Sequence, residues 1–165
     1  MTVSLSAAPA TALDPVRRFT EGLFDLFPGS LTMLVLRVGL AVPFWFSALT
    51  KWDGWFTLSF GAQAQFADLR LHIFGAEYPF PAPEIFALLA ALGETVFPIL
   101  LVSGVLARYA ALGLLVMTGI IQLSEPDGWP IHITWAAMQL AVLTFGPGKI
   151  ALDYVLGLDR SPRLR

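Results

Sequence analysis

Two ionisable side chains stand where such groups are costly. Arg37 lies inside the apolar run 31–52 and Glu94 inside the apolar run 84–103. A lone charge at the centre of a bilayer costs about 2.5–3.5 kcal/mol on insertion scales, so each must face inward and find a partner. Arg37 is six residues from one end of its run, about 9 Å at ~1.5 Å per residue, and Glu94 is ten from the same end of its own, about 15 Å. An arginine side chain bridges most of that difference, and the depths predict a buried Arg37–Glu94 ion pair between the two runs. Two roles fit such a pair. It fixes helix register, as buried pairs often do, or it forms a polar, proton-accessible site in a bundle core, where burial disfavours a lone carboxylate.

A second set of polar and aromatic residues gathers toward the opposite end. His132 and Gln139 are seven residues apart and share one helical face. Gln122 closes the preceding run, Lys51 and Trp52 close the first, Trp135 follows His132 by three residues, and Trp45 lies one to two turns deeper. Together Trp45, Lys51, Trp52, Gln122, His132, Trp135 and Gln139 form a candidate ligand pocket. The histidine reads equally as an interfacial residue held by a neighbour and as a ligand-binding group. The tryptophans suit an aromatic belt at the membrane–water boundary or the lining of a cavity. Haem ligation by His132 and His72 is disfavoured, because His72 falls on a predicted surface helix. There is no cysteine, which excludes disulfides, thiolate metal sites and a dithiol relay within this chain. No metal site is expected, and no Gly-rich dinucleotide loop is present.

The elements that must position these residues follow from the hydrophobic pattern. The 165 residues are 56% hydrophobic and only 13% charged, with mean hydropathy +0.71; a soluble fold of this size could not hide that much apolar surface. Residues 1–12 lack a basic start and read as a disordered tail rather than a signal peptide. Asp14-Pro15 opens an amphipathic helix over 13–29 that suits the membrane surface. Ser30 is expected to cap the first span, 31–52, which contains Pro43. Over 54–74, Trp55, Leu58, Ala62, Phe66, Leu69 and Ile73 share one helical face and polar residues the other, predicting a surface amphipathic helix too polar to span. Pro79, Pro81 and Pro83 break structure ahead of the second span, 84–103. The third span is 107–123. The fourth, 131–145, is short, which calls for tilt or local thinning of the bilayer. The membrane domain runs over 30–158, and 159–165 form a basic tail. The expected fold is thus all-α: a four-transmembrane-helix bundle with an N-terminal amphipathic helix and another between spans one and two.

Charge orients the bundle. Arg17, Arg18, Arg108, Lys149, Arg160, Arg163 and Arg165 fall on one side, against Lys51 and Arg70 on the other. The positive-inside rule therefore puts both termini in the cytoplasm. Trp52, Trp55, Trp129 and Trp135 then all lie at the outer end. The net charge of −2 implies no nucleic-acid face.

Leu36-Arg37-Val38-Gly39-Leu40 and Leu49-Thr50-Lys51-Trp52, then Gly93-Glu94 and the run from Leu100 through Gly104 to Arg108, and finally His132, Trp135-Ala136 and Gly146-Pro147-Gly148-Lys149-Ile150-Ala151-Leu152-Asp153 follow one another in an order and spacing that resembles the DoxX family of small bacterial membrane proteins. The resemblance spans about residues 31–155, with Ala151 departing from the serine usual before the Leu-Asp. It implies a four-helix bundle in the bacterial inner membrane. The family takes its name from a subunit associated with a thiosulfate:quinone oxidoreductase, and other members look like accessory partners in redox or metal-stress systems. The bundle also looks similar to that of the vitamin K epoxide reductases, whose cysteine pair is missing here.

The resulting functional expectation is an accessory subunit of a redox or stress-response system that binds a quinone or similar isoprenoid and carries no covalent or metal cofactor. Its partners would be the lipid bilayer and redox or stress-response proteins, and it is compatible with a homo-oligomer. The alternatives are a non-catalytic scaffold acting through residues 54–74 and, third, a small oligomeric transporter. No inverted repeat supports the last.

Overall fold

The computed structural model describes residues 28–159 and, ahead of them, Phe19 alone. The expected tail 1–12, the interfacial helix 13–29 apart from its last residues, and the basic tail beyond Asp159 lie outside the described residues.

Four long helices carry the architecture: α1 (Gly29–Leu49), α3 (Pro83–Ser103), α4 (Ala107–Ser124) and α5 (Trp129–Phe145), with a short α2 (Phe60–Asp68), strands β1 (Arg70–Ile73) and β2 (Ala76–Pro79), and a one-turn α6 (Leu152–Val155). Three of the long helices, α1, α3 and α4, are long and apolar enough to cross a membrane; α5 has 17 residues. Pro43 and Pro98 sit inside α1 and α3, each removing one backbone donor from its helix.

The core forms where apolar residues recur at helical spacing. Leu40, Ala41 and Phe44 of α1, Leu101 of α3 and Val142 of α5 are buried in one cluster with Ala107, Ala110, Ala111 and Leu114 of α4, where three of the four are alanine. Those alanines allow the helices close approach, the usual device for packing without a hydrophobic driving force between helices. The opposite faces are apolar as well. Leu31, Val35, Val38, Val42 and Phe46 of α1 point outward, as do Ile85, Leu89, Val96 and Ile99 of α3. A helix apolar all round suits lipid, and these outward faces account for the high mean hydropathy.

Two joints differ from the sequence expectation. Ser30 does not cap α1; its hydroxyl instead accepts from the Lys149 N–H at 3.2 Å, and the helix begins after Pro28. The amphipathic helix expected over 54–74 is replaced by a nine-residue helix and a hairpin. Ser59 Oγ accepts from Ala62 N at 3.1 Å, starting α2 only at Phe60, and the backbone turns extended at Leu69. The next four residues alternate exposed and half-buried, the period of a strand rather than a helix. Phe74 (φ 51°) and Gly75 (φ 81°) form the two-residue turn that suits an antiparallel hairpin, pairing Ile73 with Ala76 and Arg70 with Pro79. The fold is therefore helical with one small sheet.

This α2–hairpin segment sits over one end of the bundle. Phe66 and Phe80 pack edge to face, with ring centroids 5.5 Å apart, and close on Ala87 of α3, with Leu58, Leu69, Leu71 and Ile120 around them.

Candidate functional site

The polar side chains of the bundle collect at its two ends and do opposite things there. At the end where α1 begins, Arg37 is fully buried. Its Nη1 donates to Leu101 O at 2.5 Å and Val102 O at 3.2 Å, and its Nη2 donates to Ile150 O. Leu101 and Val102 lie in the last turn of α3, whose carbonyls have no partner within the helix and carry the negative end of its dipole. Gly104 (φ 73°) closes that helix: its N–H donates to Leu101 O at 3.2 Å and the Val105 N–H to Leu100 O at 3.1 Å, a Schellman turn. Asp153 answers on the other side. Its Oδ1 accepts from Leu106 N at 2.8 Å and its Oδ2 from Ala107 N at 2.9 Å, capping the positive start of α4 from a distant point in the chain. Arg108 repeats the pattern on α5, donating from Nη1 to Leu143 O and from Nε to Asp159 Oδ2 at 2.5 Å. The Gly146–Asp153 segment thus straps this end of the bundle shut.

The expected Arg37–Glu94 pair does not form. Arg37 reaches carbonyls at Leu101 and Val102, seven and eight residues beyond Glu94 along α3, an axial offset of about 10–12 Å. Carbonyls at the end of α3, which lack a partner within the helix and carry the negative end of its dipole, accept from the guanidinium instead.

Glu94 pairs with Lys51 instead. Lys51 Nζ stands 2.9 Å from Glu94 Oε2, with both side chains 6% exposed, and donates to Ser47 Oγ at 2.9 Å. The contact is an ion pair in distance without the alignment of a directed hydrogen bond. Ser47 lies in the last turn of α1 and Lys51 just past its end, where the Lys51 N–H donates to Ala48 O at 2.9 Å and turns the side chain back toward Ser47.

This pair lines a cavity of about 200 Å³, which His132 and Trp135 of α5, Ile121 of α4 and Phe66 of α2 also line, with Gln65 and the exposed Glu125 at its rim. His132 is buried. Its Nδ1 is 2.9 Å from Gln122 Oε1, while Gln122 Nε2 donates to Pro126 O at 3.1 Å. The amide is thereby oriented with its oxygen toward the ring, so Nδ1–H donates to it, which in a neutral ring leaves Nε2 as an acceptor. The His132 ring packs on Trp135 at 5.4 Å and Trp135 on Phe44 at 5.1 Å.

Of the residues expected to line a pocket, the structure brings Lys51, His132 and Trp135 together, and Glu94 joins them. Gln122 stands behind His132. Trp52 sits beside the site, its Nε1–H donating to Thr95 Oγ1 at 3.0 Å. Gln139 is deeper and fully buried, donating from Nε2 to Thr118 Oγ1 at 2.8 Å, with Oε1 unpartnered. Trp45 faces away, lining an apolar groove with Val42 and Pro98. Ser47, Phe66 and Gln65 went unrecognised as site residues; the i, i+4 relation of Ser47 to Lys51 could have found the first. His72 lies on β1, 3.5 Å from Glu77, and does not line this cavity.

The site offers a buried cation with one ammonium hydrogen beyond those facing Glu94 and Ser47, a carboxylate, an imidazole acceptor and two indole or phenyl faces. No cluster of three metal-ligating side chains occurs among the described residues. This chemistry can hold a compact polar head that both accepts and donates hydrogen bonds and presents a flat face to aromatic rings.

A family model described as DoxX matches residues 32–124. A protein of Haemophilus influenzae, described only as an uncharacterized protein, is 30% identical over 139 residues, covering 76% of this chain and 83% of its own length. No solved structure matches the chain.

Proposed function

The chain belongs to the DoxX family and is a multi-pass membrane protein, and from that premise we propose that it is an accessory subunit of a redox or stress-response system, binding the head of a quinone or similar isoprenoid beside Lys51 and Glu94. The observation that carries this reading is the buried Lys51–Glu94 pair in a cavity also lined by His132 and Trp135. A pair that served register alone would not need an open cavity around it. A quinone carbonyl accepts the remaining Lys51 N–H. A quinol hydroxyl donates to His132 Nε2 or to Glu94. The ring lies against the Trp135 indole, where stacking adds about 0.5–1.5 kcal/mol. Electrons come from a partner protein.

In this reading α5 is the fourth span, about 26 Å long at ~1.5 Å per residue, slightly short of a ~30 Å hydrocarbon core. The Arg37 end faces the cytoplasm, consistent with Arg108 and Lys149 there, and the Lys51 end faces outward across the inner membrane. Exposed Trp55, Phe56, Phe60 and Phe74 surround that outer end as an interfacial belt. The clasp of Arg37, Asp153 and Arg108 argues against the transporter reading, since alternating access requires both ends to open.

The test is a titration of the protein in lipid nanodiscs with a short-chain benzoquinone, read by quenching of tryptophan fluorescence. Wild type is expected to saturate at one equivalent, with His132→Phe about tenfold weaker. Linear, unsaturable quenching identical in both proteins refutes the reading.

A further inference from the structure

A second void adjoins the polar cavity. It measures about 140 Å³ and runs between α3 and α4, lined by Leu89 and Ala90 on one side and Met117, Ile120 and Ile121 on the other. Glu94, Phe66, Ile120 and Ile121 border both voids, so the polar cavity and the apolar slot meet at the carboxylate. Neither reaches the ~300–1,000 Å³ of a small-molecule site alone, whereas joined they do. The slot is apolar apart from Glu94 at its inner end. Its rim residue Leu89 is 56% exposed on a face that meets lipid. Below it the helices close: a Cβ on Gly93 would lie 2.8 Å from Met117 Sδ, so the slot ends one turn under Ala90. Over the cavity, the Phe66–Phe80 pair and Leu69 of the α2–hairpin segment narrow the way toward water to the rim at Gln65 and Glu125.

We propose that the slot is the lateral entrance of the site and the seat of a hydrocarbon tail: the ligand is a membrane-borne, tailed molecule whose polar head enters between α3 and α4 and comes to rest beside Glu94 and Lys51. This rests on the quinone reading above and narrows it to tail-bearing species drawn from the bilayer. Three features point the same way. The groups that would hold the head, Lys51 and Glu94, are buried, the apolar end opens toward lipid, and the bundle is clasped at the Arg37 end.

The experiment uses the full chain in nanodiscs and a benzoquinone bearing a ten-carbon tail that ends in a photoactivatable diazirine. After irradiation, labelled peptides are mapped by mass spectrometry, with and without excess unlabelled tailed quinone. The expected result is competable labelling on Leu89, Ala90, Met117 or Ile120. Ala90→Phe, which fills the slot, should cut that labelling at least fivefold while leaving binding of a tail-less benzoquinone within twofold. Leu89→Trp, at the exposed rim and unable to disturb the core, should cut it at least twofold. Competable labelling at Gln65 and Leu69 instead, unaffected by Ala90→Phe, would overturn the lateral entrance and leave the quinone site standing. Absence of competable labelling together with no saturable binding of the tail-less quinone would overturn both.

Discussion

Replacing Lys51 by methionine isolates the ion pair in this site. The side chains of Lys51 and Glu94 are each 6% exposed at 2.9 Å, so the pair belongs to the buried class and not to the surface pairs worth less than about 1 kcal/mol. Methionine keeps most of the stem volume and removes the charge. Glu94 Oε2 is then left buried with no cation beside it. Truncating one partner of a buried pair costs about 3–5 kcal/mol. At about 2–4 °C per kcal/mol for a chain of this size, the melting temperature in detergent should fall by roughly 6–20 °C. Glu94→Gln should cost less, about 1–3 kcal/mol, because Lys51 keeps Ser47 Oγ. The double change of Lys51 to Met and Glu94 to Leu replaces both charges by hydrocarbon and should return to within about 1 kcal/mol of wild type. The assay is thermal or SDS-titrated unfolding followed by circular dichroism. A Lys51→Met protein as stable as wild type, or a double variant whose loss equals the sum of the singles, would show that the two groups are not coupled.

Arg37→Lys should destabilise about as much as Arg37→Met, by about 3–5 kcal/mol, because an ammonium cannot span Leu101, Val102 and Ile150 carbonyls as the planar fork does; unfolding curves of both variants check this, and Glu94→Gln should rescue neither. Asp153→Asn keeps only one acceptor for the two N–H groups at the start of α4 and should cost about 1–2 kcal/mol, read in the same assay. Gly104→Ala combines φ 73° with a Cβ placed 2.6 Å from Ala151 Cβ and 2.8 Å from Ala151 Cα, and should lower stability by about 1–3 kcal/mol, seen as reduced folded yield and an earlier melt. His132→Phe should change stability by only about 1 kcal/mol while weakening quinone binding; equal losses in both would make the histidine a packing residue.

Much of the scaffold was legible because four apolar runs have few competing interpretations. Residues 31–52, 84–103, 107–123 and 131–145 became α1, α3, α4 and α5 with ends shifted by three residues at most. The segment 54–74 misled because Leu58, Ala62, Phe66, Leu69 and Ile73 also satisfy a helical period. The better local signal was the alternation Arg70-Leu71-His72-Ile73 followed by Phe74-Gly75, where the left-handed turn decides for a hairpin. The site was partly legible. That Arg37 and Glu94 must both be satisfied inside the bundle was sound physics; the error lay in pairing them with each other. A sequence displays side-chain charges but not which backbone carbonyls are left to accept, so the acceptors at Leu101, Val102 and Ile150 were invisible. With Arg37 occupied, Glu94 needed a cation, and Lys51 supplied it only because the chain after α1 folds back over the bundle, with Ser59 N–H donating to Lys51 O at 2.9 Å. The stretches that carry the family resemblance divide accordingly. Arg37, Gly104 and Gly146–Asp153 build the clasp, whereas Lys51, Glu94, His132 and Trp135 build the cavity.

The most direct test is mass spectrometry of the lipid extract from protein purified in mild detergent, comparing wild type with the double change of Lys51 to Met and Glu94 to Leu, for which near-wild-type stability is expected. A tailed quinone or related isoprenoid is expected near one equivalent in wild type and several-fold depleted in the variant. Wild-type protein carrying no such molecule, or a variant carrying just as much, would contradict a head-group site at Lys51 and Glu94.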